Sequence, residues 1–179
     1  YCACLICLYG FLMEFKESIP FDLRKRTAAL REICDFSVFY NKKRGFLSIG
    51  INAATGELDK ICYDRYMSES RITSYIACAE RQVPSSMWFS LGRTLLESSF
   101  FLGCASWSGT CFEYFMPCLF LPTHSEGFTE EALKFAFAHQ KKYAFPFPDT
   151  KGESVYGVSE SCYYSFDEDM NYRYKAFGI

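Results

Sequence analysis

The chain has 179 residues, of which 50% are hydrophobic and 22% are charged. This is enough material for one domain with a sizeable core, and it argues against disorder. The formal net charge is only -2 and both signs are interspersed, so there is no basic stripe that would bind nucleic acid. Aromatic residues make up 19% of the chain, which suits either a large core or surfaces that stack on sugars.

The ten cysteines and two histidines give no pattern typical of a metal site. Most cysteines lie in apolar runs, which predicts reduced, buried thiols rather than a disulfide framework. Cys4 and Cys7 form a CxxC pair, but no second pair with zinc spacing follows. His124 and His139 have no nucleophile motif nearby, and no phosphate-binding loop is present. We therefore expect neither a metal nor a cofactor.

Residues 1–20 form an apolar N-terminal segment. Within it, the stretch from Tyr1 to Met13 is almost wholly apolar, is too short to span a bilayer alone and lacks the charged start of a signal peptide. Its pattern fits either the end of a membrane helix or a buried core helix.

The first half of the chain is predicted to hold two helices with a short extended segment between them. Apolar residues recur at helical spacing over 22–36, which predicts an amphipathic helix. Alternation over 46–52 predicts a short strand or extended loop. A second helix is expected over 64–81, because Pro84 prevents it from continuing.

The second half is predicted to hold one interrupted and one regular helix. Pro117 should kink or end a helix in the apolar run 110–121. Thr129 is the predicted N-cap of a helix that continues to Ala144. Residues 156–161 are interpreted as a junction between a loop and a helix. With little convincing strand, these elements predict a mostly α architecture.

Three glutamates stand in apolar or hydroxyl-rich surroundings, where a charge is costly unless it is paired or functional. Glu69 shares a helical face with apolar residues, and its ordinary explanation is a pair with Arg65 or Arg71. Glu113 is either a hydrogen-bonded structural group or a site residue. Glu160 is either a carboxylate at a helix start or a site residue. Glycoside chemistry needs two such carboxyl groups on either side of a sugar bond.

Six blocks of the chain resemble, in the same order, those of the glycoamylase-like family. The resemblance is greatest to the cyclization (transglycosylase) domain of cyclic β-1,2-glucan synthases, with endo-β-1,2-glucanases as more distant relatives. The blocks are Phe46-Leu47-Ser48-Ile49-Gly50-Ile51-Asn52, Tyr63-Asp64, Ser68-Glu69-Ser70-Arg71, Trp88-Phe89-Ser90-Leu91-Gly92-Arg93, the run from Trp107 to Pro117, and Gly157-Val158-Ser159-Glu160-Ser161.

This resemblance implies a fold, an activity and a setting. The fold would be an (α/α)6 toroid, of which residues 21–179 would form the N-terminal part, truncated at the C-terminus. The activity would be retaining transglycosylation that closes linear β-1,2-glucan into a ring, and these residues by themselves are expected to be inactive. The setting would be a parent chain with flanking synthase and phosphorylase-like domains at the cytoplasmic face of the inner membrane.

The resemblance also implies roles for individual residues. Glu69 would be the nucleophile and Glu160 the acid/base. Tyr156 stands where the family has a tryptophan, so a ring that stacks on sugar is altered there. The substrate-binding residues would be Tyr63, Asp64, Arg71, Trp88, Arg93, Trp107, Glu113, Tyr114, Tyr156 and Tyr163.

Two other functions are compatible with the sequence. One is a free-standing endo-β-1,2-glucanase, which would be secreted or periplasmic. The other is a glucan-binding module that has kept its cleft and lost its chemistry. Turnover of β-1,2-glucan would exclude the binding module.

Overall fold

A computed structural model describes residues 20–98, 101–146, 151–154 and 156–176. The predicted apolar N-terminal segment, residues 1–20, lies outside the described residues except for Pro20.

The described residues divide into two compact units. The first unit contains the residues up to Asp64 together with Ser70–Gly92, and the second contains Arg65–Glu69 together with the residues from Arg93 onward. The short Arg65–Glu69 segment therefore belongs with the C-terminal part of the chain.

Helices and short strands alternate in the described residues. The helices are α1 (Phe21–Ile33), α2 (Arg71–Ala79), α3 (Ser86–Ser90), α4 (Cys111–Phe115) and α5 (Phe128–Ala144), with 3-10 turns at Ser37–Phe39 and Met116–Leu119. The strands are β1 (Tyr40–Asn41), β2 (Phe46–Ser48), β3 (Cys62–Tyr63), β4 (Leu95–Ser98), β5 (Phe101–Cys104), β6 (Glu160–Phe166) and β7 (Tyr172–Ala176).

The prediction of a mostly α architecture, and with it the partial (α/α)6 toroid, is wrong. Within the described ranges the strands form three small antiparallel sheets, ordered β1-β2-β3, β4-β5 and β6-β7. The expected helix after residue 160 is instead a hairpin in which Glu160 pairs with Ala176 and Cys162 with Tyr174. Tyrosine and phenylalanine favour strands, and three of the seven residues of β6 are of these two types.

Helix α1 confirms the first predicted helix, although it ends at Ile33 instead of reaching Phe36. An amphipathic helix usually packs its apolar positions against a core. Leu23 and Leu30 are instead 44% and 38% exposed, and Ile33 is 76% exposed. The described part of the chain therefore does not cover this apolar face.

The β1-β2-β3 sheet confirms the strand predicted near residue 46, which is shorter than expected. Leu47 and Cys62 are buried on it. The Ser48 hydroxyl is also buried and donates a hydrogen bond to the Asp59 carbonyl at 2.8 Å. In the segment between β2 and β3, Ile51 and Leu58 form an isolated bridge.

Helix α2 is shorter than the predicted helix over 64–81. It begins at Arg71, so Glu69 lies in the preceding turn and not on a helical face. The argument that placed Glu69 beside apolar helical neighbours is therefore wrong.

The core of the second unit brings together four segments. Its fully buried members are Met67, Cys104 on β5, Tyr114 on α4, and Ala132 and Ala136 on α5. Met67 has no solvent exposure, so it fixes the short segment that carries Glu69.

Helix α5 packs closely on the β4-β5 hairpin. A Cβ atom at Gly103 would lie 2.3 Å from the Phe135 ring, so only glycine allows this approach. The helix itself was predicted correctly, but its N-cap is Gly127 rather than Thr129. The predicted interruption at Pro117 is confirmed, because α4 gives way to a 3-10 turn there.

The cysteines in the described residues are free thiols, as predicted. Cys34, Cys62 and Cys104 are buried, whereas Cys162 is exposed. Among the helices that the structure describes, none is long and apolar enough to cross a membrane.

Candidate functional site

The three glutamates selected from the sequence all belong to the second unit. Each lies on a different local structure: Glu69 in the turn before α2, Glu113 in α4 and Glu160 at the first position of β6. Their surroundings differ in the number and kind of hydrogen-bond donors, and this difference separates a structural carboxylate from two chemically available ones.

Glu113 is enclosed by donors from the loop that precedes α4. Its carboxylate accepts hydrogen bonds from the backbone amides of Trp107 at 2.8 Å, Ser108 at 3.1 Å and Thr110 at 2.9 Å. It also accepts from the hydroxyls of Ser106 at 3.0 Å and Ser108 at 2.9 Å. The carboxylate is 3% exposed and organises the whole loop.

Thr110 and Glu113 form a capping box at the N-terminus of α4. Burial raises the pKa of the Glu113 carboxyl, but the hydrogen bonds from Thr110 and Ser108 outweigh burial and hold the pKa below its ordinary value. Glu113 is therefore an ionised structural group whose acceptor positions are occupied. The expectation that it braces the site fits this geometry better than direct contact with substrate.

Glu160 is held by two hydroxyls. Thr110 donates to its Oε1 at 2.7 Å, and Ser159 donates to its Oε2 at 2.7 Å. The Thr110 hydroxyl also lies 3.0 Å from Glu113 Oε2, so a single side chain links the structural carboxylate to Glu160.

The backbone that leads to Glu160 is held in place by Gln140 on α5. The Gln140 side chain is 2% exposed and donates to the Val158 carbonyl at 3.0 Å. It accepts from the amides of Gly157 at 3.2 Å and Val158 at 2.8 Å. The Cys111 amide donates to the same Val158 carbonyl at 2.8 Å. Helices α4 and α5 together therefore fix the start of β6.

Glu69 follows two anchors. Met67 lies in the core, and the Tyr66 hydroxyl makes a 2.8 Å hydrogen bond with the Thr129 hydroxyl. The guanidinium of Arg93 lies 4.3 Å from the centroid of the Tyr66 ring. Arg93, predicted to line or brace the cleft, therefore supports the segment that carries Glu69.

The carboxyl of Glu69 has a perturbed pKa. Burial raises this pKa, and the negative charges of Glu113 and Glu160 raise it further. A hydrogen bond from the Ser68 hydroxyl, at 3.2 Å, and one from its own backbone amide lower it, but burial outweighs them. Glu69 therefore holds its proton to higher pH than an ordinary glutamate.

Tyr174 on β7 is within electrostatic range of the same carboxylates. Its partner in the hairpin is Cys162, two residues after Glu160, so Tyr174 and Glu160 occupy diagonal positions on one face. Desolvation raises the pKa of the Tyr174 hydroxyl, and the charges of Glu160 and Glu69 raise it further.

The aromatic residues predicted in the second unit have separate environments. Trp107 is 51% exposed, and the Arg65 guanidinium lies 5.9 Å from its ring centroid. Tyr114 is buried, and its hydroxyl donates to the Cys104 carbonyl at 2.7 Å, so its position is structural. Tyr156 is exposed and meets Phe137 edge to face.

Of the remaining predicted residues, one lies in the second unit and four lie in the first. Tyr163 lies on β6, paired with Arg173. The first unit contains Tyr63, Asp64, Arg71 and Trp88. In it, Tyr63 pairs with Leu47, and the Asp64 carbonyl accepts a hydrogen bond from the Gly92 amide. Arg71 is buried at the start of α2, and Trp88 packs against Tyr75.

Sequence reasoning missed the residues that position the carboxylates. Thr110 had a readable signal, since Thr110-Cys111-Phe112-Glu113 spells a capping box. Gln140 and Tyr66 had none, because their partners are distant in the chain. Of the residues that the structure describes, none form a cluster of three or more metal-ligating side chains.

The arrangement can support chemistry at two carboxyl groups that interact through their charges. One of them, Glu69, holds its proton to raised pH. The other, Glu160, accepts two hydroxyl hydrogen bonds. Such a pair is the minimum that glycosidic bond cleavage requires.

No model of a known protein family matches the chain. The chain is related to a curated protein, the cyclic β-(1,2)-glucan synthase NdvB of Rhizobium meliloti (strain 1021), with 31% identity over 157 residues. The aligned region covers 88% of this chain and 5% of NdvB, so the chain spans a small part of that relative.

Proposed function

We propose that this chain carries the pair of carboxyl groups of a β-1,2-glucan transglycosylase within a cyclic β-1,2-glucan synthase. The similarity to NdvB supports the substrate, because the name of that protein states the synthesis of cyclic β-(1,2)-glucan. The observation that carries the proposal is that Glu69 and Glu160 lie in one unit, where burial raises the pKa of the Glu69 carboxyl and the nearby charge of Glu160 adds to that shift.

The reaction would proceed in two displacements at the anomeric carbon. Glu69 attacks this carbon while Glu160 protonates the departing glycosidic oxygen, which leaves a covalent glycosyl-enzyme. Glu160 then removes the proton from an acceptor hydroxyl, whose oxygen attacks the same carbon and releases Glu69. The two inversions retain the anomeric configuration. An acceptor hydroxyl at the other end of the same glucan closes the ring.

The Ser106–Thr110 loop would act on this reaction through Glu160. The Thr110 hydroxyl lies 2.7 Å from Glu160 and 3.0 Å from Glu113, so the ionised Glu113 holds the orientation of Thr110. Glu113 and Thr110 are therefore positioning residues in this proposal.

One observation favours an exchange of the two roles. A general acid needs a raised pKa and a nucleophile needs an ionised carboxylate. The raised pKa belongs to Glu69, which the resemblance made the nucleophile. The assignment of roles therefore needs a test that reports on the chemistry of each carboxyl group directly.

The test is azide rescue of the full-length protein that carries this chain, with an activated β-glucoside as donor. In a Glu69→Gly variant, azide should occupy the nucleophile's space and give the α-glucosyl azide. In a Glu160→Gly variant, azide should replace the acceptor after the glycosyl-enzyme has formed and give the β-glucosyl azide. The opposite pair of anomers would establish the exchanged roles.

Turnover of β-1,2-glucan without azide tests the pair as a whole. Glu69→Gln and Glu160→Gln should each lower kcat by about 1,000-fold or more, since acid/base help alone contributes roughly 100- to 10,000-fold. Glu168→Gln, an exposed change in the turn after β6, serves as the matched control and should leave kcat unchanged. Normal rates in both active-site variants would contradict the proposal.

Product analysis separates the alternatives. Ring products support transglycosylation, and linear products alone support an endo-β-1,2-glucanase. Glucan binding without any product would support the binding module. The flanking synthase and phosphorylase-like domains, and a location at the cytoplasmic face of the inner membrane, belong to this proposal through the relation to NdvB.

A further inference from the structure

The second unit contains a cleft of about 440 Å³ whose lining includes none of the three glutamates described above. The cleft lies between the end of the β4-β5 hairpin, the loop that follows it and helix α5. Its side chains include Glu97, Ser106, Trp107, Phe135 and His139. Its volume falls within the range of small-ligand sites, roughly 300 to 1,000 Å³.

His139 gives the cleft an unused hydrogen-bonding group. Its Nε2 atom is buried and has no hydrogen-bond partner among the described residues. The imidazole ring lies 4.3 Å from the Phe135 ring, centroid to centroid, so its body is packed. His139 lines the cleft and its χ2 torsion has broad wells, so binding a ligand there requires the ring to turn a nitrogen out of its buried position. A buried polar atom without a partner favours a ligand that supplies one.

Trp107 and Glu97 define which kind of ligand fits. Trp107 is 51% exposed and lines the cleft, so its indole ring can pack against the apolar C–H face of a ligand ring. Glu97 brings an acceptor-only carboxylate, which disfavours an anion and pairs well with hydroxyl donors. An apolar ligand would leave the buried His139 Nε2 without a partner and would offer no donor to Glu97. A neutral ring rich in hydroxyls satisfies all three side chains.

The cleft shares a wall with the Glu113 network. The hydroxyls of Ser106 and Ser108 line the cleft but are already donated to Glu113, at 3.0 and 2.9 Å. The side chains left to recognise a ligand are therefore Trp107, Glu97 and His139. A ligand in the cleft would contact the loop that ends at Thr110, whose hydroxyl donates a hydrogen bond to Glu160.

We propose that this cleft is an accessory site for one hexopyranose unit of a β-glucan, with Trp107 stacking on the ring and Glu97 and His139 binding its hydroxyls. The proposal deepens the proposed function and shares its substrate class. It places the unit away from the carboxyl groups that would perform the cleavage.

The test is calorimetric titration with methyl β-D-glucopyranoside of the full-length protein carrying Glu69→Gln, so that turnover does not interfere. Adding His139→Phe, which removes the nitrogens and keeps an aromatic ring, should weaken binding at least tenfold. His124→Phe, at the other histidine and exposed, is the matched control and should leave binding unchanged. Thermal unfolding of each variant shows whether it is folded.

A second variant keeps the test decisive if His139→Phe fails to fold. Glu97 is exposed on β4, so Glu97→Gln should fold, and it should weaken binding at least threefold. Unchanged binding in the folded variants would overturn the proposal. Binding that is lost with Glu160→Gln and kept with the Glu97 and His139 variants would also overturn it, by placing the sugar at the carboxyl groups.

The outcomes separate this inference from the proposed function. If Glu69→Gln and Glu160→Gln keep normal turnover while His139→Phe loses sugar binding, the catalytic assignment fails and the accessory site stands. If turnover depends on both carboxyl groups while the cleft variants bind sugar normally, the catalytic assignment stands and the accessory site fails.

Discussion

Glu113 is buried and Glu69 is half-buried in the same unit, and their environments shift the pKa values of the two carboxyl groups in opposite directions. The loop from Ser106 to Thr110 supplies the hydrogen-bond donors that surround the Glu113 carboxylate. These hydrogen bonds hold the pKa of Glu113 below its ordinary value. Glu69 accepts from the Ser68 hydroxyl and its own amide, and burial holds its pKa above the ordinary value.

The comparison shows that burial of a carboxylate does not by itself indicate a catalytic role. A carboxylate surrounded by donors is stabilised as a charge and becomes a structural element. A carboxylate with few donors is poised to change its protonation or to react. The two segments are also anchored differently, since the Glu69 turn depends on apolar packing at Met67 and the Glu113 loop depends on hydrogen bonds.

The largest effect should come from removing the apolar anchor of the Glu69 turn. Met67 is fully buried against Cys104, Tyr114 and α5. Met67→Ala should therefore lower the free energy of unfolding by about 3 kcal/mol, through lost burial and the cavity it leaves. Urea denaturation followed by circular dichroism measures this change.

Met170→Ala is the matched control for Met67→Ala. Met170 is 72% exposed in the β6-β7 turn, so its replacement should change the free energy of unfolding by less than about 0.5 kcal/mol. Equal effects of the two substitutions would show that Met67 is not an anchor.

The next effect should come from neutralising the structural carboxylate. Glu113→Gln removes a charge that accepts hydrogen bonds from three amides and several hydroxyls, and the new amide cannot accept at both positions. We expect a loss of about 2 kcal/mol in the free energy of unfolding. The same urea titration measures it.

The exposed Glu168→Gln provides the baseline for that substitution. If Glu113→Gln changed the free energy of unfolding as little as Glu168→Gln does, the loop would not depend on the Glu113 charge. The assignment of Glu113 as a structural group would then fail.

The smallest expected effect is on the pH dependence of stability, and it distinguishes Glu113 from Glu69 directly. The folded-state pKa of Glu113 is lowered, so its contribution to stability is present above the ordinary glutamate pKa, about 4.3, and is lost as pH falls through the folded pKa. The folded-state pKa of Glu69 is raised, so its contribution is present below the ordinary pKa and is lost as pH rises through the folded pKa.

The two glutamine variants should therefore differ from the unsubstituted protein with opposite slopes. The free energy of unfolding of Glu69→Gln, relative to that of the unsubstituted protein, should increase as pH rises above the ordinary glutamate pKa of about 4.3. That of Glu113→Gln should increase as pH falls below it. Urea midpoints measured across this pH range provide the test, and slopes of the same sign would contradict the contrast drawn between the two carboxyl groups.

The sequence by itself predicted features that depend on neighbouring residues. Helices α1 and α5 follow from their apolar spacing, the break at Pro117 from the missing amide of proline, and β2 from a short alternating run. These patterns are local, and a short segment contains all the residues that form them. The choice of Glu69, Glu113 and Glu160 also came from the sequence, through their unusual surroundings and the family resemblance.

Only the tertiary structure decided the fold class and what each glutamate does. The β6-β7 hairpin exists because Glu160 and Cys162 pair with residues 12 or more positions away, whereas the sequence near 160 fitted a helix start equally well. Gln140 fixes the backbone before Glu160 across 18 residues, and Thr110 reaches Glu160 across 50. Such distant partners decide whether a carboxylate is surrounded by hydrogen-bond donors or is buried with few donors. Hydrogen bonding and desolvation both depend on which residues folding brings together.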